Sequence, residues 1–255
     1  MLSPRSRRIA GQELLLLARD PVPLVLLVVV PVVFIAVLKP AGFLALVVEG
    51  YVGTNGAEQA VPGAAVTFSL FATGLVGLSF FREHGWGTWP RLRAAASPAE
   101  ILAGKLLPLA GFVLAQLGLL FALGMAGFGL RVRGPVLAVW LFCLPVAASV
   151  VALGLLLVGL ARTLPQLNAL ANLSATVLAG VGGAVMPVRL LPGWARAVAP
   201  ASPAYWVMRG YKAVILDGGG LGALALPSAV LLAFTAAFLL LAARLALGEG
   251  RIAWG

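Results

Sequence analysis

The side chains of this chain that could do chemistry gather in one polar stretch, residues 82–105, between two apolar runs. It holds the only histidine, His84, beside Glu83. A serine–histidine protease would need its histidine inside a membrane span and a nucleophile motif such as G-x-S-x-G, which the chain lacks. A metal site would need further ligands, and there is no second histidine. The stretch is therefore interpreted as a surface at a membrane edge, with no catalytic or metal-ligating residue.

Helix signals divide this stretch into two pieces. Thr88 is a cap that is followed almost at once by a proline, which predicts a short helix from about Pro90 to Ala96. The sequence SPAE at 97–100 pairs a serine cap, Ser97, with Glu100 three residues later. This capping box predicts where the next membrane helix begins.

The composition places the chain in a membrane. It is 62% hydrophobic and 10% charged, whereas soluble domains carry about 25% charged residues. Six uncharged runs reach the length that a helix needs to cross ~30 Å of hydrocarbon. They predict an all-α integral membrane protein with one transmembrane domain over residues 1–255 and six spans, at about 22–38, 61–81, 98–129, 135–161, 166–184 and 221–243.

Basic residues indicate the orientation. With the N-terminus inside, eleven lie on the cytoplasmic side: Arg5, Arg7, Arg8, Arg19, Arg82, Arg91, Arg93, Lys105, Arg162, Arg244 and Arg251. Seven lie outside: Lys39, Arg131, Arg133, Arg189, Arg196, Arg209 and Lys212. This bias predicts a multi-pass protein of the plasma membrane with both termini in the cytoplasm. The net charge of +10 then reflects cytoplasmic loops, and no nucleic-acid partner is expected.

Residues 1–20 leave two interpretations. Arg7-Arg8 before an apolar run resembles a twin-arginine export signal, but Arg19 and Asp20 interrupt the apolar segment and no cleavage site follows Leu38. We favour a retained helix on the membrane surface that is stopped by the segment DPVP at 20–23. The first span is predicted to close at Lys39-Pro40, and residues 41–58 to form an outer loop.

Two kinds of chemistry are excluded by missing residues. The chain has no G-x-x-x-x-G-K-S/T phosphate loop, so it cannot bind ATP by that route. No uncharged run contains an acidic residue, so a relay of buried carboxylates within the spans is not expected. Three polar residues inside spans, Gln116, Asn168 and Asn172, could line a substrate path. Hydrogen bonding between helices is the favoured alternative for any single residue, and the pair Asn168 and Asn172, one helical turn apart, is the best exception.

The interval 185–217 is neither a loop nor a span. Its prolines and aromatic residues include Pro187, Pro192, Trp194, Pro203, Tyr205 and Trp206. Ser202 before a proline predicts a helix start, and Ala204, Val207, Met208, Tyr211 and Ile215 recur at helical spacing. Two interpretations stay open: an amphipathic helix at the interface with an aromatic belt of Trp194, Tyr205, Trp206 and Tyr211, or a re-entrant hairpin that acts as an outer gate.

In their order and spacing, these features resemble the ABC type-2 permeases, the membrane subunits of ABC exporters. The resemblance covers nearly the whole chain, from Arg19-Asp20-Pro21 to the segment SPAYW at 202–206. It includes the polar stretch, which is similar to the family's cytoplasmic coupling region. By this resemblance the residues that engage the ATP-binding subunit are Arg82, Glu83, His84, Gly87, Thr88, Arg91, Arg93, Ser97 and Glu100.

The resemblance implies a partner and a role. The chain would be a non-enzymatic permease that pairs with a second copy, or with a related permease, in contact with membrane lipid. A separate ATP-binding cassette subunit would hold ATP and Mg, and this chain would hold no cofactor. The cargo would be an amphipathic, drug-like or antibiotic-like molecule, as in the multidrug-resistance branch. The alternatives are export of a lipid or lipid-linked glycan and, from another class, a membrane anchor that transports nothing.

Overall fold

The computed structural model describes residues 3–20, 22 and 25–246, and every regular element within them is helical. The α-helices in chain order are α1 (Pro4–Arg19), α2 (Val30–Val48), α3 (Ala57–Phe71), α4 (Thr73–Gly85), α5 (Trp89–Ala95), α6 (Pro98–Gly127), α7 (Val136–Leu160), α8 (Leu164–Val181), α9 (Gly193–Val198), α10 (Pro203–Ile215) and α11 (Ala225–Ala246). A π-helical turn, Val25–Val29, precedes α2. Short 3₁₀ turns lie at Val188–Leu190, Ala199–Ala201 and Leu221–Leu224.

Five helical segments in the described part of the chain are long and apolar enough to cross a membrane. They are α2, the continuous pair α3–α4 over Ala57–Gly85, α6, α7, and Leu221–Leu245, which contains most of α11. The all-helical architecture is therefore confirmed. Helix α8 occupies the predicted span 166–184, but it is only 18 residues long and carries Gln166, Asn168 and Asn172. The count of six spans stays a prediction.

The predicted end of the first span at Lys39-Pro40 is wrong. Helix α2 continues through Pro40 to Val48, because the apolar residues that follow extend its buried face through Gly42 and Leu46. Gly42 allows the loop to approach closely, since a Cβ there would lie 2.8 Å from the carbonyl oxygen of Gly56. The interval assigned to a loop over 41–58 is a true loop only between α2 and α3.

Other residues named in the sequence analysis either lie in a different element or fall outside the described residues. Glu58, which was assigned to that loop, lies in the first turn of α3 and is 2% exposed. Pro21 and Pro23, in the predicted stop after α1, lie outside the described residues, as does Arg251 in the predicted cytoplasmic tail.

Helix α10 enters the core rather than lying wholly on the surface. Its predicted stripe is confirmed: Ala204, Val207, Met208, Tyr211 and Ile215 are all buried. Tyr211 is 0% exposed, with its ring centroid 4.7 Å from that of Phe121 and 5.1 Å from that of Phe142. Its assignment to an interfacial aromatic belt is therefore wrong. The Phe142 ring packs directly against α10 at Gly210, where a Cβ would lie 2.4 Å from that ring.

Candidate functional site

A cluster of four charged side chains joins three helices at one end of the bundle. Lys105 of α6 donates to Oε1 of Glu13 in α1 at 2.6 Å and to Oε1 of Glu83 in α4 at 3.1 Å. The same ammonium group donates a third hydrogen bond to the carbonyl oxygen of Ser79 at 2.9 Å. Arg82 completes the cluster by donating to the other oxygen of Glu13 at 2.8 Å. We call Glu13, Arg82, Glu83 and Lys105 the buried charge cluster.

The buried charge cluster is balanced in charge, and every member except the half-buried Arg82 is shielded from solvent. Lys105 is 0% exposed, Glu13 2% and Glu83 7%. Two carboxylates face two cations, and all three protons of the ammonium group are used. A buried ion is tolerated only when it is paired and hydrogen-bonded in this way. The cluster therefore fixes α1, α4 and α6 relative to one another.

Close packing brings α1 near enough to reach Lys105. A Cβ at Gly104 would lie 2.6 Å from Cβ of Ile9 and 3.0 Å from the carbonyl oxygen of Ser6, so only glycine fits at this helix contact. At the start of α1, the Ser3 hydroxyl caps the helix and also donates to Oε1 of Glu100 at 2.7 Å. Glu100 thereby connects the beginning of α1 to the beginning of α6.

The predicted capping box at the start of α6 is confirmed. Ser97 Oγ accepts from the backbone NH of Glu100, and Glu100 Oε2 accepts from the backbone NH of Ser97 at 2.9 Å. The predicted short helix is also confirmed as α5, which begins at Trp89. Thr88 stands before α5 but makes no side-chain cap. Its hydroxyl instead donates to Oε2 and to the backbone oxygen of Glu83, because Gly87, at φ +65°, turns the chain back toward α4.

The predicted coupling residues divide into an inner and an outer set. Glu83 is buried, while Arg82, His84, Thr88 and Glu100 are half-buried. His84 stacks on Trp89 with ring centroids 4.6 Å apart, and this contact holds α5 against the end of α4. The exposed set consists of Gly87, Arg91, Arg93 and Ser97. Helix α5 contains no buried residue, so it offers its arginines to solvent or to a partner.

Some of the predicted outer-gate residues lie at the start of α10, and the others lie on the segment around α9. Pro187 and Pro203 are buried, and Ser202 caps α10 while donating to the carbonyl oxygen of Leu178 at 2.9 Å. Trp206 donates to the carbonyl oxygen of Pro200 at 2.9 Å and contacts Tyr205, with centroids 5.3 Å apart. Pro192 and Trp194 are exposed on the segment around α9, and Trp194 is 69% exposed.

The predicted pathway residues differ in their surroundings. Gln116 is 2% exposed within α6, and its amide has no hydrogen-bond partner among the described residues. Asn168 and Asn172 lie one turn apart on an exposed face of α8. The three residues therefore do not share one environment within this chain.

Sequence reasoning did not identify two members of the buried charge cluster, Glu13 and Lys105, as site residues. The two residues are partners of each other and lie 92 positions apart in the chain, so no local pattern connects them. One signal was available for Lys105. It lies two turns inside the helix that the capping box starts, next to an apolar run, where an unpaired lysine would be costly. In the described residues no group of three or more His, Cys, Asp or Glu side chains could hold a metal ion.

The fold and this site define a multi-pass, all-helical membrane protein with a charged, helix-linking cluster at one end. The sequence model of the ABC-2 type transporters matches residues 7–216. The chain belongs to the ABC-2 type transporter family.

The chain is also similar to a curated relative. It is 28% identical over 189 residues to the linearmycin resistance permease protein LnrN of Bacillus subtilis (strain 168), a match that covers 74% of this chain and 49% of that protein. The chain thus spans about half the length of the curated relative it matches. No solved structure matches it.

Proposed function

We propose that this chain is the permease subunit of an ATP-driven exporter, with ATP bound and hydrolysed by a separate subunit. The observation that carries the proposal is the position of α5. This exposed helix is joined through Thr88 and His84 to the end of α4, and through the buried charge cluster to α1 and α6. A force applied to α5 is thereby passed to two apolar helical segments, α3–α4 and α6.

The rigidity of these contacts determines how movement is transmitted from α5 to the membrane helices. Ion pairs held at 2.6–3.1 Å in a buried site cannot lengthen without leaving a charge uncompensated. Movement of a partner docked on α5 therefore tilts α4 and α6 together rather than deforming the loop between them. In an assembly of two permease copies, such a tilt opens or closes the path between them, and the described residues then span the membrane six times, with α8 as the fifth span.

The cargo that fits best is an amphipathic small molecule of the antibiotic or drug type, moved out of the cytoplasm. Support comes from the similar protein in Bacillus subtilis, which is named as a linearmycin resistance permease, and from membership of the family. The described residues contain no cluster of acidic groups that would suit a metal cargo. Membrane lipid surrounds the assembly and forms part of its environment.

Co-expression with an ATP-binding subunit encoded by a neighbouring reading frame tests this proposal. The two proteins should co-purify, and the complex should hydrolyse ATP in proteoliposomes while accumulating an amphipathic dye or antibiotic in inside-out vesicles. The purified chain alone should hydrolyse none. ATP hydrolysis by the chain alone, or a stable complex that hydrolyses ATP but moves no cargo from a panel of amphiphiles, would contradict the assignment as an exporter.

A further inference from the structure

A cavity of about 520 Å³ opens at the end of the bundle away from the buried charge cluster. The pair α3–α4 connects the two ends of the bundle. It begins after the loop that carries Tyr51 and ends at Gly85, two residues beyond Glu83, and its 29 residues span ~44 Å. The cavity is formed between the end of α2, the turn at 182–189, α10 and the beginning of α11. Its volume lies within the range of ~300–1,000 Å³ that is usual for small-molecule sites.

The cavity carries an excess of positive charge. Its lining includes Arg189, Arg209 and Lys212 against Glu49 and Asp217. The Lys212 ammonium is paired with Glu49, and the phenol of Tyr51 donates to Asp217 at 3.0 Å. Burial, together with that hydrogen bond, raises the pKa of Tyr51 to about 12, so the phenol stays a donor at neutral pH. Both carboxylates are therefore already engaged within the protein.

Two arginines of the lining, Arg189 and Arg209, form no ion pair with any of the described residues. The guanidinium of Arg209 lies 5.3 Å from the ring centroid of Trp206, which orients it beside the cavity. Both side chains are exposed, so a ligand can reach them without unfolding the helix. Planar guanidinium groups bind phosphate through paired hydrogen bonds, which is geometry that a lysine does not offer.

The rest of the lining is apolar. Val188, Met208 and Leu226 contribute hydrocarbon surface beside the two arginines. A free inorganic anion would leave this surface wet, whereas an amphiphile with an anionic head and an acyl tail would cover both parts. The position of the cavity relative to the membrane also suits such an amphiphile. The cavity lies where α2 ends and α11 begins, which is the level of lipid headgroups when these helices cross a membrane.

We propose that this cavity binds the phosphate group of an anionic amphiphile, with Arg189 and Arg209 as its ligands. This proposal rests on the proposed function in one respect: the orientation of the chain in the membrane, which places the cavity in the outer leaflet. Occupancy would link α10 to the turn at 187–189 through a shared anion and so hold the outer end of the bundle in one arrangement. Removing the anion would free the segment around α10 from that turn.

The test uses the purified full-length chain in detergent, without any ATP-binding partner. Binding of a fluorescent short-chain phosphatidylglycerol is measured for the wild type, for Arg189→Gln/Arg209→Gln and for Arg196→Gln. The last variant is a matched control, since Arg196 is an exposed arginine of α9 that does not line the cavity. Loss of two charge-assisted contacts should weaken binding by at least about tenfold in the double variant and leave the control unchanged.

Competition identifies the source of the anion. Displacement by unlabelled phosphatidylglycerol, but not by phosphatidylcholine or inorganic phosphate, supports a lipid ligand. Displacement by millimolar phosphate alone supports the anion site but assigns it to a soluble phosphate. Equal binding by the double variant and the wild type, or equal loss in the Arg196→Gln control, overturns the proposal. The variant Arg189→Lys/Arg209→Lys retains the charge, so its intermediate affinity separates lost anion binding from lost folding. Because no partner is present, this outcome is independent of the ATPase test.

Discussion

The ammonium nitrogen of Lys105 lies 2.6 Å from a carboxylate oxygen of Glu13, although the two residues are 92 positions apart in the chain. This one contact attaches the N-terminal helix α1 to the beginning of α6. Because neither side chain is exposed by more than 2%, each charge depends on its partners in the cluster for compensation. The consequences of this dependence can be measured separately from transport.

Removing the Lys105 charge should destabilise the protein. In Lys105→Met, Glu13 keeps its pair with Arg82 while Glu83 stays buried without an ion-pair partner in the cluster, and breaking a buried pair costs ~3–5 kcal/mol. Thermal unfolding followed by size-exclusion chromatography should show a clearly lower midpoint. The combined variant Glu83→Gln/Lys105→Met also removes the carboxylate left without its partner and keeps the pair of Arg82 with Glu13, so it should recover much of the loss. A single variant that is as stable as the wild type would mean that Lys105 and the two carboxylates are not buried from water.

The approach of α1 to α6 should depend on Gly104. Gly104→Ala places a Cβ 2.6 Å from Cβ of Ile9, which is part of a helix and cannot simply rotate away. We expect α1 to be displaced and trypsin to cleave faster at the exposed Arg7 and Arg8. Gly111→Ala is the matched control in the same helix, because a Cβ there meets nothing within 4 Å.

Comparing the two variants separates the effect of packing between α1 and α6 from the helix propensity of alanine. Alanine in a helix interior is favoured over glycine by ~1 kcal/mol, so Gly111→Ala should be neutral or slightly stabilising. If both variants show the same proteolysis rate as the wild type, the close contact between α1 and α6 does not exist in the membrane.

Labelling of single cysteines tests the topology. Val52 is 84% exposed in the loop between α2 and α3, whereas Glu58 is buried and would be a poor probe. A membrane-impermeant maleimide applied to intact cells should label Val52→Cys, while Arg93→Cys should be labelled only after permeabilisation. The native Cys143 is buried and gives a low background. Labelling of Arg93→Cys from outside would reverse the orientation and place α5 on the wrong side for an ATP-binding partner.

Local sequence signals predicted the local structure well. The pair Ser97 and Glu100 indicated the start of α6, and Ser202 with the stripe that follows indicated α10. Each of these signals acts over a few residues, so the chain itself defines the geometry. The boundary at Lys39-Pro40 was wrong because packing of Gly42 against the loop outweighs the local preference of proline.

Contacts across the chain could not be predicted in the same way. Nothing near Glu13 in sequence indicates that its partner is Lys105, since the pairing depends on how α1 packs along α6. The burial of Tyr211 between Phe121 and Phe142 likewise depends on three helices that meet in space. The sequence pattern showed which face of α10 is apolar, but it did not distinguish a lipid environment from a protein core.

The structure also changes which coupling variants are informative. Glu83 is buried 3.1 Å from Lys105, so Glu83→Lys would place two ammonium groups together and damage folding as well as coupling. Arg91 and Arg93 are exposed on α5, where substitutions usually change stability by less than about 0.5 kcal/mol. They are therefore the appropriate residues for testing whether α5 docks a partner.

The most direct measurement of the central claim is transport by Arg91→Glu/Arg93→Glu in complex with the ATP-binding subunit. Arg131→Glu/Arg196→Glu is the control, with the same charge change on exposed arginines outside α5. Both variants should insert into the membrane and unfold at the wild-type temperature. Only the α5 variant should lose co-purification of the ATP-binding subunit and cargo transport, by about tenfold or more. Wild-type complex formation and transport by the α5 variant would contradict the assignment of α5 as the coupling surface.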